Sequence, residues 1–400
     1  MGFPSMHIMT KTRLALFLTF AFLAPTARAD EPNCLSLDEL AEGWISLFDG
    51  ETLFGWQPAT EANWTVADGA IVVDSGEKGL LNTTSEFADY VLKVDFRAAA
   101  GTNSGVFLRT PTVPTDPKSD CYELNIADES ASPFPTGSFV GRQRAEGLHP
   151  NGAWQSFEVT CQGAECTVRL DGQTVLSYVD PAPLGRGRIG LQFNSGRVEF
   201  RNVKLRPLSL ESIFNGKDLT GWTVYPDRQS EFSVTPQGEL NVRNGPGSLE
   251  SEGQYADFTL QLEVFSNGER LNSGVFFRAI PGGFNKGYEC QIQNGYADGD
   301  RAKPVDCGTG GFYRRQNARR VVSDDFTWFQ ITLVVSGDHM AAWVNGYPVS
   351  DWTDPRAPHE NPREGLRREA GALAIQGHDP TTDLSFRGLR IAEMRAISPP

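Results

Sequence analysis

Short runs in which apolar and polar residues alternate recur along most of this chain and predict β-strands. Phe258–Val264 is a clear case, because every second residue in it is apolar, as in a strand with one buried face. Asp171–Gly172 and Asn345–Gly346 are typical of two-residue hairpin turns. Helical periodicity is weak and occurs near Leu35–Ala41. The other predicted strands are Val91–Phe96, Gly105–Arg109, Tyr122–Ile126, Gln155–Cys161, Thr167–Leu170, Arg188–Phe193, Gly274–Arg278, Gln330–Val335 and Ala341–Val344.

The chain also contains an internal duplication of domain size. The heptapeptide NSGVFLR at 103–109 returns as NSGVFFR at 272–278, and the landmarks around each copy keep the same order. Two copies at this separation predict two homologous domains rather than a solenoid, whose repeats are about 20–50 residues long. The matching landmarks are Phe48–Gly50 with Phe214–Gly216, Phe87–Tyr90 with Tyr255–Phe258, Tyr122–Glu123 with Tyr288–Glu289, and Leu191–Gln192 with Ile375–Gln376.

The duplication sets the expected domain boundaries. We expect an N-terminal segment over residues 30–43, a first sandwich over 44–207 and a second over 208–395. Many short strands joined by tight turns in units of this size predict an all-β fold, either a two-sheet sandwich or a jelly roll. The junction Arg206–Ser209 is short, so we expect the two domains to be docked.

The N-terminus has the features of a secretory signal peptide, which we assign to residues 1–29. Lys11 and Arg13 precede an apolar stretch from Leu14 to Leu23, and Ala27–Ala29 provides a small-x-small cleavage site. The stretch is too short for a membrane span, and no later apolar run is long enough. We therefore expect export to the periplasm or the extracellular space, with cleavage near Ala29.

The net charge disfavours acidic partners. The chain has 36 Lys and Arg residues against 50 Asp and Glu residues, which gives a net charge of −14. Removal of residues 1–29 takes away three basic residues and no acidic one, so the charge becomes −17. Such a surface disfavours nucleic acid and anionic membranes as partners.

Six cysteines in an exported chain predict disulfides. Cys161 and Cys166 form the best pair, because they flank a tight turn and share one face of a hairpin. The second copy has Val335 and Met340 in the equivalent places. A zinc site is the alternative, which the lack of a Cys-x-x-Cys motif disfavours. The remaining expected pairs are Cys290 with Cys307 and, by elimination, Cys34 with Cys121.

Period-two counting places a set of polar side chains on one outer face of each copy. In the run 288–293, for example, Glu289 and Gln291 point away from the face that carries Tyr288. The residues that this counting places outward are Phe276, Arg278, Glu289, Gln291, Gln376 and His378 in the second copy, and Arg109, Glu123, Asn125, Gln192 and Asn194 in the first.

Such a face has the composition of a sugar-binding site. Amide and charged groups bind hydroxyls, and aromatic side chains stack on the C–H groups of a pyranose ring. The alternative is a solvated sheet face with a cross-strand Arg–Glu ion pair. The spacing alone leaves both interpretations open.

No other sequence motif indicates a catalytic or nucleotide-binding function. The segment GRGRIG at 185–190 matches a dinucleotide-binding pattern, but it follows a turn and leads into a strand. The sequence has no G-x-S-x-G elbow, phosphate-binding Walker loop or H-E-x-x-H motif.

At the motifs that the two copies share, the chain resembles the DUF1080 family, also called the 3-keto-disaccharide hydrolase domain. The first copy carries LFDGETLFGW, NSGVFLR, YELNI and GRIGLQF, and the second carries FNGKDLTGW, NSGVFFR, YECQIQ and IQGHDP. The family pattern occurs once in each half, and the two matches together cover nearly all of the expected mature chain. It implies two tandem concanavalin-like jelly-roll β-sandwich domains in an exported protein that cleaves 3-keto-glycosides by hydrolysis or elimination.

The resemblance also implies residue roles. In the second copy the family's strand motifs fall on Arg278, Glu289, Gln291, Gln376 and His378. His378 or Glu289 would act as base or acid, and Arg278 would stabilise an enolate. A divalent metal ion held by Glu289, Gln291 and His378 is the alternative electrophile. Gln291, Gln376 and Phe276 would bind substrate.

The first copy departs from the family at one position. Arg109, Glu123, Asn125 and Gln192 match and would bind substrate, but Asn194 stands where the family usually has histidine. Asparagine cannot shuttle a proton near neutral pH, whereas histidine can. We therefore expect activity mainly in the second domain.

Two functions of different classes remain open. The first is an enzyme that cleaves keto-sugar glycosides, and the second is a non-catalytic carbohydrate-binding or surface-interaction protein built on the same sandwich. They differ in whether Glu289, Gln291 and His378 converge in one pocket.

Overall fold

Strands dominate the computed structural model, which describes residues 1–2, 31–146, 150 and 152–394. The signal peptide expected over residues 1–29 lies outside these residues, apart from its first two. Within the described ranges, no helix has the length and apolar character needed to cross a membrane.

The first half is a sandwich of two antiparallel sheets. Its elements are α1 (Leu37–Glu42), β1 (Ile45–Ser46), β2 (Trp56–Pro58), β3 (Thr65–Ala67), β4 (Ala70–Val73), β5 (Gly79–Thr83), β6 (Tyr90–Ala98), β7 (Asn103–Thr110), β8 (Tyr122–Ala127), β9 (Trp154–Gln162), β10 (Glu165–Leu170), β11 (Gln173–Val179), β12 (Arg188–Ser195) and β13 (Val198–Pro207). One sheet has eight strands, in the order β11-β10-β9-β6-β13-β4-β3 with β1 also against β13. The other has five, in the order β2-β5-β12-β7-β8.

The second half repeats this topology. Its strands are β14 (Glu211–Ser212), β15 (Trp222–Val224), β16 (Glu231–Val234), β17 (Leu240–Arg243), β18 (Gly247–Tyr255), β19 (Phe258–Ser266), β20 (Ser273–Ala279), β21 (Tyr288–Ile292), β22 (Trp328–Ser336), β23 (His339–Val344), β24 (Tyr347–Thr353), β25 (Gly371–Gly377) and β26 (Asp383–Glu393). The sheet orders are β16-β17-β26-β19-β22-β23-β24, with β14 against β26, and β15-β18-β25-β20-β21. The predicted all-β sandwich is therefore confirmed.

Local sequence explains the turns. Asp171 and Gly172 have φ values of 47° and 79° and join β10 to β11, and Asn345–Gly346 joins β23 to β24 with φ values of 48° and 70°. Positive φ at both positions is the type I′ geometry that matches the twist of paired strands, and Asn, Asp and Gly tolerate it best. The weak helical signal corresponds to α1, which begins with a capping box between Ser36 and Glu39.

The two halves are docked through their cores. Trp343 of the second half packs among the core residues of the first, and its ring lies 6.4 Å from that of Phe87. The indole Nε1 of Trp343 donates a hydrogen bond to the carbonyl oxygen of Ser46, at 2.9 Å. Nearby, Arg186 Nη1 of the first half donates to Asp257 Oδ2 of the second, at 2.5 Å. Burial of an aromatic side chain across the junction makes independent motion of the halves costly.

The six cysteines are unbonded in this structure. Cys161 and Cys166 are directly opposite each other on β9 and β10, with their Sγ atoms 2.7 Å apart. Cys290 and Cys307 are both buried in the second half.

The expected pairing of Cys34 with Cys121 is wrong. Cys34 lies beside the eight-stranded sheet, where its carbonyl oxygen accepts a hydrogen bond from Lys204 Nζ at 2.6 Å. Cys121 packs with Leu80 and Phe107 on the outer face of the five-stranded sheet. The sandwich thickness of about 10 Å separates these faces, whereas a disulfide needs Cα atoms within about 7 Å. Elimination failed because it took no account of which sheet each cysteine occupies.

We predict that Cys161 and Cys166 are disulfide-bonded in the exported protein. Replacing the pair by the residues of the second half, Cys161→Val with Cys166→Met, should preserve the fold but lower the free energy of unfolding by about 2 kcal/mol. Peptide mapping checks the bond, and chemical denaturation with and without reductant checks its contribution. A Cys34→Ser control should change neither result, and two free thiols in exported protein would contradict the prediction.

Candidate functional site

In the first half, the outer face of the five-stranded sheet aligns polar side chains in rows across three strands. Gln192 of β12 is opposite Gly105 of β7, which is opposite Asn125 of β8. In the next row Phe107 is opposite Glu123. Because Gly105 has no side chain, the face is depressed between Gln192 and Asn125.

The second half repeats both rows. Gly274 lies between Gln376 and Gln291, and Phe276 is opposite Glu289. A Cβ at Gly274 would lie 2.7 Å from Glu289 Oε1, so the Glu289 side chain would have to shift. The period-two prediction is therefore correct for these polar residues, which the structure brings together on one face of each half.

Arg278 does not lie on this face. Its side chain is fully buried, and it donates hydrogen bonds to the carbonyl oxygens of Ala256, Gly337 and Arg367 at 2.6–2.8 Å and to Asp257 Oδ1 at 2.8 Å. These bonds occupy the guanidinium, so a role for Arg278 as electrophile is wrong.

The same holds for Arg109 in the first half. It donates to the carbonyl oxygens of Ala88, Gly163 and Leu184 and to Asp89. Arg109 and Arg278 have φ values of 49° and 46°. This left-handed backbone conformation interrupts the strand alternation and turns each side chain inward. Period-two counting therefore fails at the last residue of the motif, and the Arg109 side chain does not lie on the face that was expected to bind substrate.

A different arginine reaches the outer face of the second half. Arg363 Nη2 donates to Glu289 Oε2 at 2.7 Å, and its guanidinium lies 5.0 Å from the centre of the Phe276 ring. Its Nε donates to the carbonyl oxygen of Asn285 at 3.1 Å. Burial raises the pKa of Glu289, and the positive charge of Arg363 opposes that rise only in part.

Arg363 comes from an insertion that the first half lacks. Asp180 and Asp354 are equivalent, because each accepts a hydrogen bond from the tyrosine that begins the site strand. Six residues separate Asp180 from Gly187, whereas sixteen separate Asp354 from Gly371. The ten extra residues carry Arg363 over the sheet. The length difference between the two copies was the sequence signal that could have located it.

Amide oxygens on both faces lack hydrogen-bond donors. In the second half Gln291 Nε2 donates to Asn272 Oδ1 at 2.9 Å, but the buried Oε1 atoms of Gln291 and Gln376 have no partner. In the first half the equivalent atoms of Asn125 and Gln192 are also unpaired. Buried carbonyl oxygens are normally satisfied, so both rows are suited to a ligand or water that supplies hydroxyl donors.

His378 lies at the accessible edge of the second face. Its side chain is 42% exposed, and Nδ1 lies 2.8 Å from Asp379 Oδ2. A carboxylate at Nδ1 favours the tautomer that leaves Nε2 free to take a proton.

The first face carries an open cleft. It has a volume of about 420 Å³ and lies over Glu123, Gln192 and Asn194. Glu123 Oε1 accepts a hydrogen bond from Gln192 Nε2 at 3.2 Å, and burial raises the pKa of Glu123.

The alternative metal site of Glu289, Gln291 and His378 stays a prediction. Among the residues that the structure describes, no group of three or more His, Cys, Asp and Glu side chains could hold a metal ion. In the proposed set of Glu289, Gln291 and His378, one carboxylate oxygen already accepts from Arg363.

Comparison with known proteins identifies the family. The profile of the 3-keto-alpha-glucoside-1,2-lyase-like domain matches residues 43–206 and again residues 209–392. The chain belongs to this family.

One curated relative is the 3-keto-disaccharide hydrolase of Bacteroides thetaiotaomicron. It is 29% identical over 243 residues, which cover 45% of this chain and 84% of the relative. A crystal structure of a candidate glycosyl hydrolase from Parabacteroides distasonis aligns at 22% identity with a TM-score of 0.41, covering 45% of this chain and 100% of that one. Carbohydrate binding module CBM66 from Bacillus subtilis aligns at 15% identity with a TM-score of 0.28, covering 38% and 94%. The family membership supports a carbohydrate-active role.

We predict that Arg278→Met destabilises this family member by about 3–5 kcal/mol, because the change leaves buried carbonyl groups and Asp257 without their donor. Chemical denaturation measures the loss. Arg243→Met is the matched control, since the Arg243 side chain is 62% exposed and its loss should change stability by less than about 0.5 kcal/mol. A variant that unfolds like wild type yet has lost turnover would instead indicate a catalytic role for Arg278.

The raised pKa of Glu123 generates a pH-dependent prediction. A carboxyl group that holds its proton more tightly in the folded state stabilises the fold fully below its unfolded pKa of 4.5. That stabilisation is lost as the pH rises through the folded pKa. Glu123→Gln cannot ionise, so we predict that it unfolds at a higher denaturant concentration than wild type at about pH 8 and that the difference vanishes toward about pH 4.

The equivalent variant of the second half is the comparison for this measurement. The pKa of Glu289 is also raised, so the stability of Glu289→Gln relative to wild type should change with pH in the same direction, offset to lower stability because the guanidinium of Arg363 loses its carboxylate. Parallel pH profiles for wild type and Glu123→Gln would contradict the prediction.

Proposed function

We propose that this protein cleaves glycosides of 3-keto sugars and that the second half carries the chemistry. Family membership and the curated relative support the substrate class. The observation that carries the proposal is the presence, on one sheet face, of a buried carboxyl group, a guanidinium and an accessible imidazole: Glu289, Arg363 and His378.

Oxidation of a sugar at C3 makes the C2 hydrogen acidic, and the glycosidic oxygen on C1 is then β to the carbonyl group. In the proposed reaction His378 Nε2 takes the C2 proton, and the Asp379 carboxylate stabilises the resulting imidazolium. The electrons of the C2–H bond form the C1–C2 double bond as the C1–O bond breaks. Addition of water at C1 would complete a net hydrolysis.

Glu289 is the proposed acid for the leaving group. Burial raises its pKa, which favours the protonated form that can deliver a proton to the departing oxygen. Once the proton has left, the carboxylate is stabilised by Arg363 Nη2, which lies 2.7 Å from Oε2. Within the described residues Arg363 Nη1 has no hydrogen-bond partner, so it is available to stabilise negative charge on the C3 oxygen. Arg363 thus takes the role that the sequence assigned to Arg278.

We predict that His378→Asn, which copies the first half, lowers kcat about 10²–10⁴-fold on a 3-keto-disaccharide, because the base is lost. The position is exposed, so the denaturation midpoint should stay near wild type. Turnover is measured on the oxidised disaccharide and on its unoxidised parent, with and without a chelator, which should leave the rate unchanged.

His359→Asn is the matched control for this change. His359 is similarly exposed and pairs with Glu364 in the insertion, so its replacement should leave kcat within about twofold of wild type. Wild-type turnover by His378→Asn would contradict the role of His378 as base, whereas failure of wild type to cleave the oxidised disaccharide would favour a purely binding function.

A further inference from the structure

The cleft over the first half is a site of its own, with a different character from the second face. Its lining includes the polar residues Glu123, Gln192 and Asn194, several apolar residues and one exposed cationic residue, Lys78. From its lining we infer that this cleft binds a neutral saccharide and releases it unchanged. The inference concerns the first half alone, so it stands whether or not the second half is catalytic.

The polar groups of the cleft require a ligand that donates hydrogen bonds. Gln192 Oε1 is buried without a partner among the described residues. Glu123 accepts one hydrogen bond from Gln192 Nε2 and has no ion pair with any described residue. An anionic ligand would offer these oxygens only acceptors and would add negative charge beside a carboxyl group. Sugar hydroxyls supply the missing donors.

The apolar groups suit the C–H surface of a pyranose ring. Phe107, Leu80 and Cys121 form a small cluster on the outer face that is separate from the core. Above them, the loop between β7 and β8 contributes Val113, whose side chain is 64% exposed, and Pro114. An exposed apolar rim over a polar floor matches the two sides of a sugar ring.

The same cleft lacks the groups proposed to carry the chemistry in the second half. Asn194 occupies the position of His378, and its Nδ2 donates to Asn103 Oδ1 at 3.1 Å. The first half has no counterpart of the insertion that carries Arg363, so Glu123 has no guanidinium beside it. A ligand bound here meets a carboxyl group and the exposed ammonium of Lys78, but neither an imidazole nor a guanidinium beside the carboxyl group, and it leaves intact.

The test is calorimetric titration of the full-length protein with unoxidised maltose, cellobiose, trehalose and lactose. We expect at least one to bind wild type, and Gln192→Ala to weaken that binding about tenfold, the effect of losing one hydrogen bond to a buried group. Gln376→Ala, the same change at the equivalent position of the second half, should leave the affinity within about twofold. Val113→Asp adds a variant at an exposed position, where misfolding is not expected, and it should also weaken binding.

Two results would overturn the inference. They are failure of wild type to bind any of the four sugars, and equal loss of binding in Gln376→Ala and Gln192→Ala. The proposed function is judged separately by His378→Asn, which should lose turnover while keeping sugar binding in the first cleft.

Discussion

Each sandwich depends on a buried guanidinium at the end of the strand that carries the candidate site. Arg278 joins carbonyl groups of Ala256, Gly337 and Arg367, which lie far apart in the sequence, and pairs with Asp257. A buried guanidinium is tolerated only when its donors are matched, so these segments must hold one arrangement. The equivalent bonds of Arg109 impose the same arrangement on the first half, which explains why this motif is nearly identical in both copies.

The bonds of the buried arginine fix the strand pairing in each half, whereas the loops above the sheet can differ between the halves. The positive φ at each arginine turns its side chain into the core and ends the outward-facing series at Phe107 or Phe276. The rows of amide and carboxyl groups upstream of the arginine stay aligned because the strand pairing is unchanged. The loops above these rows are anchored through the carbonyl oxygens of Leu184 and Arg367, but they differ in length between the halves.

The two faces consequently have opposite electrostatic characters on one scaffold. In the second half the insertion brings Arg363 over Phe276 and onto Glu289, so a buried carboxyl group gains a cation. In the first half Glu123 is buried without one, and the face above it remains open as a cleft. Placing charge over an aromatic surface suits chemistry that develops negative charge, whereas an open cleft with unpaired acceptors suits recognition of hydroxyls.

The sequence by itself determined the sandwich, the duplication, the hairpin turns and most of the outward-facing residues, because these follow from local periodicity and turn chemistry. It determined that Glu289, Gln291 and Gln376 share a face, since strand alternation is a local property. Only the tertiary structure showed that the Arg278 side chain is buried and that Arg363 lies over the outer face. A single left-handed residue reverses the alternation without changing the pattern of residue types, and the path of an insertion depends on what it packs against. Disulfide pairing by elimination failed for the same reason, because sequence order does not reveal which side of a sandwich a loop occupies.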